Sequence, residues 1–148
     1  MNEITIRQCN QDDIDNIIGM ESRWAQEGIT YGLVPSEREQ LQGYIGPYFL
    51  VAEAKGITVG FIYGSIKVSE EWAIMNEGQR YLRIDGIYVS PEFRNRGIGG
   101  ALLNRLIETA EGDGIQRSLV YSATRELDVI LRFYRRHGFK SWYVQMFR

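Results

Sequence analysis

Isoleucines at positions 4 and 6 alternate with Glu3, Thr5 and Arg7, the period-two pattern of a short half-buried strand. The period then lengthens. Ile14, Ile17, Ile18 and Trp24 recur at helical spacing, with Asn10 and Asp12 as candidate caps and Gly28 as a stop. Ser36 and Glu39 fit a capping box ahead of a shorter helix carrying Leu41, Tyr44 and Ile45. Two β-rich runs follow, Tyr48 to Ala54 and Ile57 to Val68, and the Lys55-Gly56 pair between them predicts an antiparallel hairpin. Glu70 to Gln79 is polar, as a surface loop is. Tyr81 to Val89 predicts a further strand, stopped by Ser90-Pro91.

Beyond it, Ile98, Ala101, Leu102, Leu106 and Ala110 mark one face of a helix that ends at Gly112-Asp113-Gly114. Ser118 to Ser122 predicts a strand. Leu127, Ile130, Leu131 and Tyr134 return to helical spacing, with Gly138 as a natural terminator. The aromatic-rich stretch from Phe139 to Phe147 predicts a closing strand, or two short ones. The order β-α-α-β-β-β-α-β-α-β is that of an α/β fold with a mixed sheet. Its central strand–helix–strand unit should be a right-handed parallel crossover.

Composition narrows the class. The 148 residues, 44% hydrophobic and 24% charged, read as one soluble globular domain over 1–148, with no repeat or linker to divide it. A net charge of −2 argues against affinity for nucleic acid. A single cysteine, Cys9, excludes an internal disulfide framework and any multi-cysteine metal site, and no metal is expected. Asp12, Asp13 and Asp15 stand where a secretory signal needs an apolar core, and no apolar run is long enough for a membrane span. The expectation is a cytoplasmic protein.

The sharpest local feature is Arg94-Asn95-Arg96-Gly97-Ile98-Gly99-Gly100, a Gly-rich turn between a strand and an amphipathic helix. A helix N-terminus offers unpaired N–H groups and partial positive charge, and glycines let a phosphate approach that backbone. Arg94 and Arg96 add charge-assisted donors, unless they simply face water. Two other phosphate motifs fail: Leu102 stands where a dinucleotide-binding turn needs its third glycine, and a P-loop's Gly-Lys-Ser/Thr is absent.

The segment from Ile84 to Leu103 resembles the acetyl-CoA-binding signature of the GNAT superfamily of N-acyltransferases, whose Arg/Gln-x-x-Gly-x-Gly/Ala pattern is filled by Arg94, Gly97 and Gly99. Phe133-Tyr134-Arg135-Arg136-His137-Gly138-Phe139 resembles that family's second signature, Phe-Tyr-x-x-x-Gly-Phe. The resemblance implies a mostly antiparallel mixed sheet with a central parallel βαβ crossover and about four flanking helices. It implies direct transfer of an acetyl group from acetyl-CoA to an amine, without a covalent acyl-enzyme. The backbone groups of Ile87 and Val89 would then pair with the pantetheine arm, and the Val89 N–H would polarise the thioester carbonyl. Arg94, Asn95, Arg96, Gly97, Ile98, Gly99 and Gly100 would hold the pyrophosphate.

The same resemblance puts Tyr134 at the general-acid position, with core packing as its alternative. Asp85 falls where several relatives carry a strand carboxylate assigned as base. Simple alternation puts Asp85 on one face with Ile87 and Val89, where a bare carboxylate is costly, and a bulge would change that facing. A structural ion pair with Arg83 is its alternative. Two positions depart from the pattern: Leu127 replaces an asparagine that bonds the cofactor arm, leaving Thr124 or Ser122 as substitutes, and Arg83 replaces a glutamate. Cys9 reads as a small, partly buried residue and His137 as a capping or surface histidine.

Trp24, Tyr31, Tyr44 and Trp72 are candidates for an acceptor pocket or ordinary core. Glu21, Glu27, Glu70, Glu71 and Glu77 would draw a cationic amine or form a solvated face. The tail from Trp142 to Phe147 is apolar enough to pair with a second subunit in a homodimer, or to lie as a covered strand of the monomer. A small primary amine, such as a polyamine, amino acid or amino sugar, is the expected acceptor. A protein lysine or N-terminal amine, or an acyl-CoA-sensing domain without turnover, are the alternatives.

Overall fold

A computed structural model describes residues 3–148. Five strands, β1 (Ile4–Gln8), β2 (Phe49–Ala54), β3 (Ile57–Val68), β4 (Arg80–Val89) and β5 (Arg117–Val120), form one sheet in sequential order. Pairing is antiparallel from β1 to β4 and parallel between β4 and β5. Helices α1 (Ile14–Glu27) and α2 (Arg38–Tyr44) precede the β2–β3 hairpin, α3 (Ile98–Gly112) makes the β4–β5 crossover, and α4 (Leu127–Arg136) follows β5. The hairpin turns on Lys55 (φ 51°) and Gly56 (φ 77°), the paired left-handed conformations that suit the twist of two-residue hairpins.

The sheet separates two apolar layers. Leu50, Ala52, Ile62, Leu82 and Ile84 meet Leu102, Leu103 and Leu106 of α3, and Tyr134 of α4 joins this layer. On the other face, Phe49, Val51, Phe61 and Tyr63 meet Ile14 and Ile17 of α1 and Leu41 of α2. Asn10 caps a 3-10 turn that leads into α1: its side chain accepts from the Asp12 N–H at 2.9 Å, and Asp13 accepts from the Asn10 N–H at 2.8 Å.

Three expectations need correction. The second helix is capped by Glu37 and Gln40, not by Ser36 and Glu39. Ser36 is drawn away because its N–H and hydroxyl both bond the buried Glu21 carboxylate, at 2.8 and 3.2 Å. Beyond Phe139 the chain forms no strand: Tyr143, Val144, Met146 and Phe147 are exposed. Aromatic richness made the sequence strand-like there, but a strand is stable only against a partner.

The third correction concerns Asp85. Tyr63 pairs with Gly86 and the next residue, Gly64, pairs with Ile84, so Asp85 is bulged out of the β3–β4 register. Two glycines shape this bulge. A Cβ on Gly64 would lie 2.5 Å from the Arg83 carbonyl oxygen, and one on Gly86 would lie 2.8 Å from the Tyr63 ring. Asp85 therefore leaves the α3 face occupied by Ile87 and Val89 and joins Arg83, Ser65 and Tyr44 on the α1–α2 side.

Candidate active site

The strands β4 and β5 part company at Ile84–Val120, the last pair of their ladder. Beyond it β4 continues to Val89 while the chain after β5 turns to the segment that follows α1. There Tyr31 N–H donates to Ala123 O at 2.9 Å and Arg125 N–H to Ile29 O at 2.6 Å. Thr124 bridges Thr30, and its hydroxyl donates to Ile29 O at 3.2 Å. These bonds tie the chain after β5 to the segment after α1, and β4 and β5 are unpaired beyond Ile84 and Val120, as the two sides of a wedge.

One edge of this wedge is backbone with polar groups to spare. Ser90 N–H donates toward β3, to Val59 O at 2.9 Å. Backbone groups alternate along a strand, so those of Val89 and Ile87 point the other way, into the wedge. The wedge leads to the Gly-rich turn. Asn95 (φ 62°) and Gly97 (φ 80°) bend the chain through left-handed conformations into α3. Ala101 N–H closes the first helical bond on Gly97 O, which leaves the Ile98, Gly99 and Gly100 N–H groups without intrahelical acceptors. A Cβ on Gly97 would meet nothing within 4 Å, so the turn is open at its N-cap. The residues present fit an elongated group that ends in phosphate.

The two arginines of the turn differ. Arg96 is exposed and lies over the Phe93 ring, and among the described residues it makes no ion pair. Arg94 is fully engaged. Its Nη1 and Nη2 fork onto Glu27 of α1 at 2.6 and 3.0 Å, and its Nε donates to Val89 O at 2.9 Å. Tyr88 Oη donates to the same carboxylate at 2.6 Å. Burial would push the Glu27 carboxyl up, but the bonds from Arg94 and Tyr88 outweigh it and hold it below the usual range.

Tyr134 is placed by the end of α4. Gly138 N–H donates to Arg135 O and Phe139 N–H to Tyr134 O, both at 3.1 Å, and Gly138 takes a left-handed φ of 87°. This is a Schellman ending, and Phe139 packs back on Tyr134 with ring centroids 5.4 Å apart. The Phe-Tyr-x-x-x-Gly-Phe spacing thus has a local physical reason. The ring is buried, yet the hydroxyl bonds no protein group, and no buried side-chain oxygen among the described residues is left unpartnered. The Tyr134 oxygen therefore keeps access to solvent. Burial pushes its pKa up to about 12.

Asp85 lies across the sheet from Tyr134's layer. Arg83 Nε donates to its Oδ1 at 2.5 Å and Ser65 Oγ to its Oδ2 at 2.8 Å. Burial and the Asp85 charge push the Tyr44 hydroxyl up. Next to this group is a cleft of ≈ 550 Å³, open to solvent, whose lining includes Glu39, Tyr44, Tyr48, Ser65 and Lys67.

Comparison with known proteins agrees with this architecture. Residues 16–139 match the model of the acetyltransferase (GNAT) family. The chain belongs to that family. It is 28% identical over 151 residues to an uncharacterized N-acetyltransferase of Methanocaldococcus jannaschii, covering 93% of this chain but only 61% of that protein. The fold matches the aminoglycoside N-acetyltransferase AAC(6')-Iy, in complex with a CoA-based bisubstrate analogue, at a TM-score of 0.75, with 18% identity over 99% of this chain and 97% of that one. A ribosomal-protein-alanine N-acetyltransferase from Brucella melitensis biovar Abortus 2308 matches at 0.70, with 20% identity over 99% of both chains.

Within this GNAT domain, the remaining candidates find ordinary partners. Leu127 is exposed at the start of α4. Ser122 Oγ accepts from Thr124 N–H at 3.3 Å, and Thr124 Oγ1 accepts from Glu126 N–H at 3.1 Å, so both hydroxyls organise the β5–α4 connection. His137 is the C-cap of α4 and contacts Asn104 Oδ1 at 3.1 Å. Cys9 is buried, and desolvation first of all pushes its thiol up to about 12, away from any nucleophilic role.

The aromatics divide between packing and surface. Trp24 stacks on Tyr88, and Tyr44 packs on Tyr63. Trp72 touches Tyr81 and Trp142, while Tyr31 lies beneath Arg125 and beside Phe147. Glu70, Glu71 and Glu77 are solvent-exposed, in contrast to the bonded Glu21 and Glu27. Among the described residues no cluster of potential metal ligands forms, and no helix is long and apolar enough to cross a membrane.

Proposed function

We propose that the domain transfers an acetyl group from acetyl-CoA to a small primary amine by direct attack in a ternary complex. The carrying observation is the β4–β5 wedge, whose backbone edge at Ile87 and the Val89 N–H has no β5 partner and runs toward the free N–H groups of α3. In this reading acetyl-CoA supplies an activated acyl group and a thiolate leaving group. Ile87 and Val89 bind the extended arm as an added strand would, and the Val89 N–H stabilises negative charge on the acyl oxygen. The turn from Arg94 to Gly100 receives the pyrophosphate, with Arg96 as its available charge. Positioning of this kind is worth roughly 7–11 kcal/mol of barrier.

An amine with a pKa near ~10.4 must lose a proton before it attacks. Asp85 takes that proton through water, from its place beside the open cleft. Arg83 and Ser65 each occupy one lone-pair direction of its carboxylate, and two further directions serve incoming water. Tyr134 stabilises the departing thiolate. A peptide amine is the second reading, favoured by the openness of the cleft beside Tyr44 and Ser65. The test is thiol release from acetyl-CoA across polyamines, amino acids, amino sugars and N-terminal or lysine peptides. Turnover confined to one small-amine class is expected. Turnover only on peptides replaces the acceptor, and saturable binding without turnover makes the domain an acyl-CoA sensor.

We assign the exposed aromatic tail to a homodimer. Its Val144, Met146 and Phe147 face solvent, and β5 is an edge strand with one side of its ladder unused. Sedimentation velocity should give twice the chain mass, falling to monomer in a Val144→Lys/Phe147→Lys variant. A monomeric wild-type chain would remove this assignment.

A further inference from the structure

Glu27 ends α1, where the helix dipole disfavours a carboxylate, and nothing basic lies in that last turn. Such a violation of local preference asks for a tertiary reason. The reason on view is Arg94. Glu27 holds the guanidinium by a two-point fork, Tyr88 supports Glu27 with its hydroxyl, and Arg94 lies 5.2 Å from the Tyr88 ring centroid. Trp24 stacks on Tyr88, ring centroids 5.3 Å apart. The third guanidinium edge, Nε, reaches Val89 O. Both polar ends of the Val89–Ser90 peptide are therefore tied, one to Arg94 and the other to Val59.

We propose that Glu27 is a positioning residue of the acyl-donor site: it holds Arg94 against the Val89 carbonyl, so that Arg94 orients the end of β4 rather than serving as a phosphate ligand. This rests on the acetyl-CoA reading above. Swinging Arg94 toward a phosphate would leave Glu27 half-buried with only Tyr88 for a partner, and would free the Val89 carbonyl beside the incoming arm. Arg96 is exposed, and among the described residues it has no such ties. The pair thus divides the work: one arginine sets the strand end, the other meets the phosphate.

The sign of the effect of a charge-neutralising substitution separates the two roles. A carboxylate that merely competes with phosphate for Arg94 would, once neutralised, release the arginine and tighten CoA binding. A latch would loosen it. Binding is measured calorimetrically with CoA and with adenosine 3′-phosphate 5′-diphosphate, which carries the phosphates but no pantetheine arm. Glu27→Gln keeps an acceptor for Tyr88, and is expected to weaken CoA about tenfold, the worth of one charge-assisted bond, with little change for the nucleotide. From the other side of the pair, Arg94→Lys keeps the charge but cannot span Glu27 and Val89 together, so it should bind CoA as poorly as Arg94→Met.

Tighter or unchanged CoA binding in Glu27→Gln, or rescue by Arg94→Lys, would overturn the latch. Equal losses for CoA and the nucleotide in both variants would do so as well. A wild-type chain that binds neither ligand would instead overturn the acetyl-CoA reading on which the latch depends.

Discussion

Replacing Gly97 by valine is expected to abolish measurable CoA binding while leaving the domain folded. Gly97 sits at φ 80°, ψ 5°, the N-cap of α3. A β-branched residue held there pays ~1–2 kcal/mol for the left-handed conformation, small against a total stability of about 5–15 kcal/mol. No protein atom lies within 4 Å of the added Cβ, so packing does not forbid the side chain. On the proposed reading, the added side chain stands at the N-cap beside the Ile98, Gly99 and Gly100 N–H groups that the phosphate would use. An anion that needs those donors is excluded, and a loss of more than about a hundredfold, roughly 2.8 kcal/mol, is anticipated. Calorimetric titration beside a thermal melt checks both halves. Wild-type affinity in a folded Gly97→Val chain would show that phosphate binds elsewhere.

The second large effect belongs to Tyr134→Phe. The ring makes the packing contacts with Phe133 and Phe139, and the hydroxyl has no protein partner, so phenylalanine preserves the core. What disappears is one donor to the departing sulfur. A thiol of this kind has a pKa near ~8.5, whereas burial pushes Tyr134 up to about 12, in the opposite direction from the tuning a strong proton donor needs. On the proposed reading, Tyr134 would act by a hydrogen bond to developing thiolate rather than by completed proton transfer. Such a bond to a charged acceptor is worth about 1.5–3 kcal/mol, so kcat should fall roughly 10- to 100-fold while CoA affinity stays near wild type.

The pH dependence has a fixed sign. Because the folded value lies above the usual tyrosine value of about 10, Tyr134 stays protonated through neutral and moderately alkaline pH, and no alkaline loss of rate should be traced to it until pH approaches about 12. Between about 10 and about 12 the unfolded chain ionises this group first, so stability falls there, and Tyr134→Phe should remove that loss. An unchanged rate in the variant would return Tyr134 to packing alone.

Periodicity located α1, the β2–β3 hairpin, β4 and α3 because each carries its own pattern and its own punctuation. Gly28, Lys55-Gly56 and Gly138 all take the left-handed conformations that a stop or a tight turn demands. The two glycine-bearing motifs were legible for the same reason: the spacing in each reflects a local hydrogen-bond requirement. In the first it is the bare N-terminus of α3, and in the second the Schellman ending that aims Tyr134.

Other features were not legible. The Asp85 bulge depends on Gly64 and Tyr63 in the neighbouring strand, and alternation within β4 alone gave the opposite facing. The α2 cap moved by one residue because the buried Glu21 claims Ser36 from fifteen positions away. Glu27 and Arg94 are separated by 67 residues, so nothing in either one's sequence neighbourhood announces their fork. The tail shows the converse, where a strand-like composition found no strand to pair with among the described residues.

By itself, then, the sequence determined the elements through α4 and the Gly-rich turn, which follow from backbone hydrogen bonds and apolar spacing over a few residues, while its two signatures carried the resemblance to the family. Tertiary structure alone decided which side of the sheet Asp85 faces, that β4 and β5 are unpaired beside Val89, and that Arg94 is tied to α1. Those outcomes are set by bonds between distant segments, whose energies depend on a shared geometry that no local stretch of chain encodes.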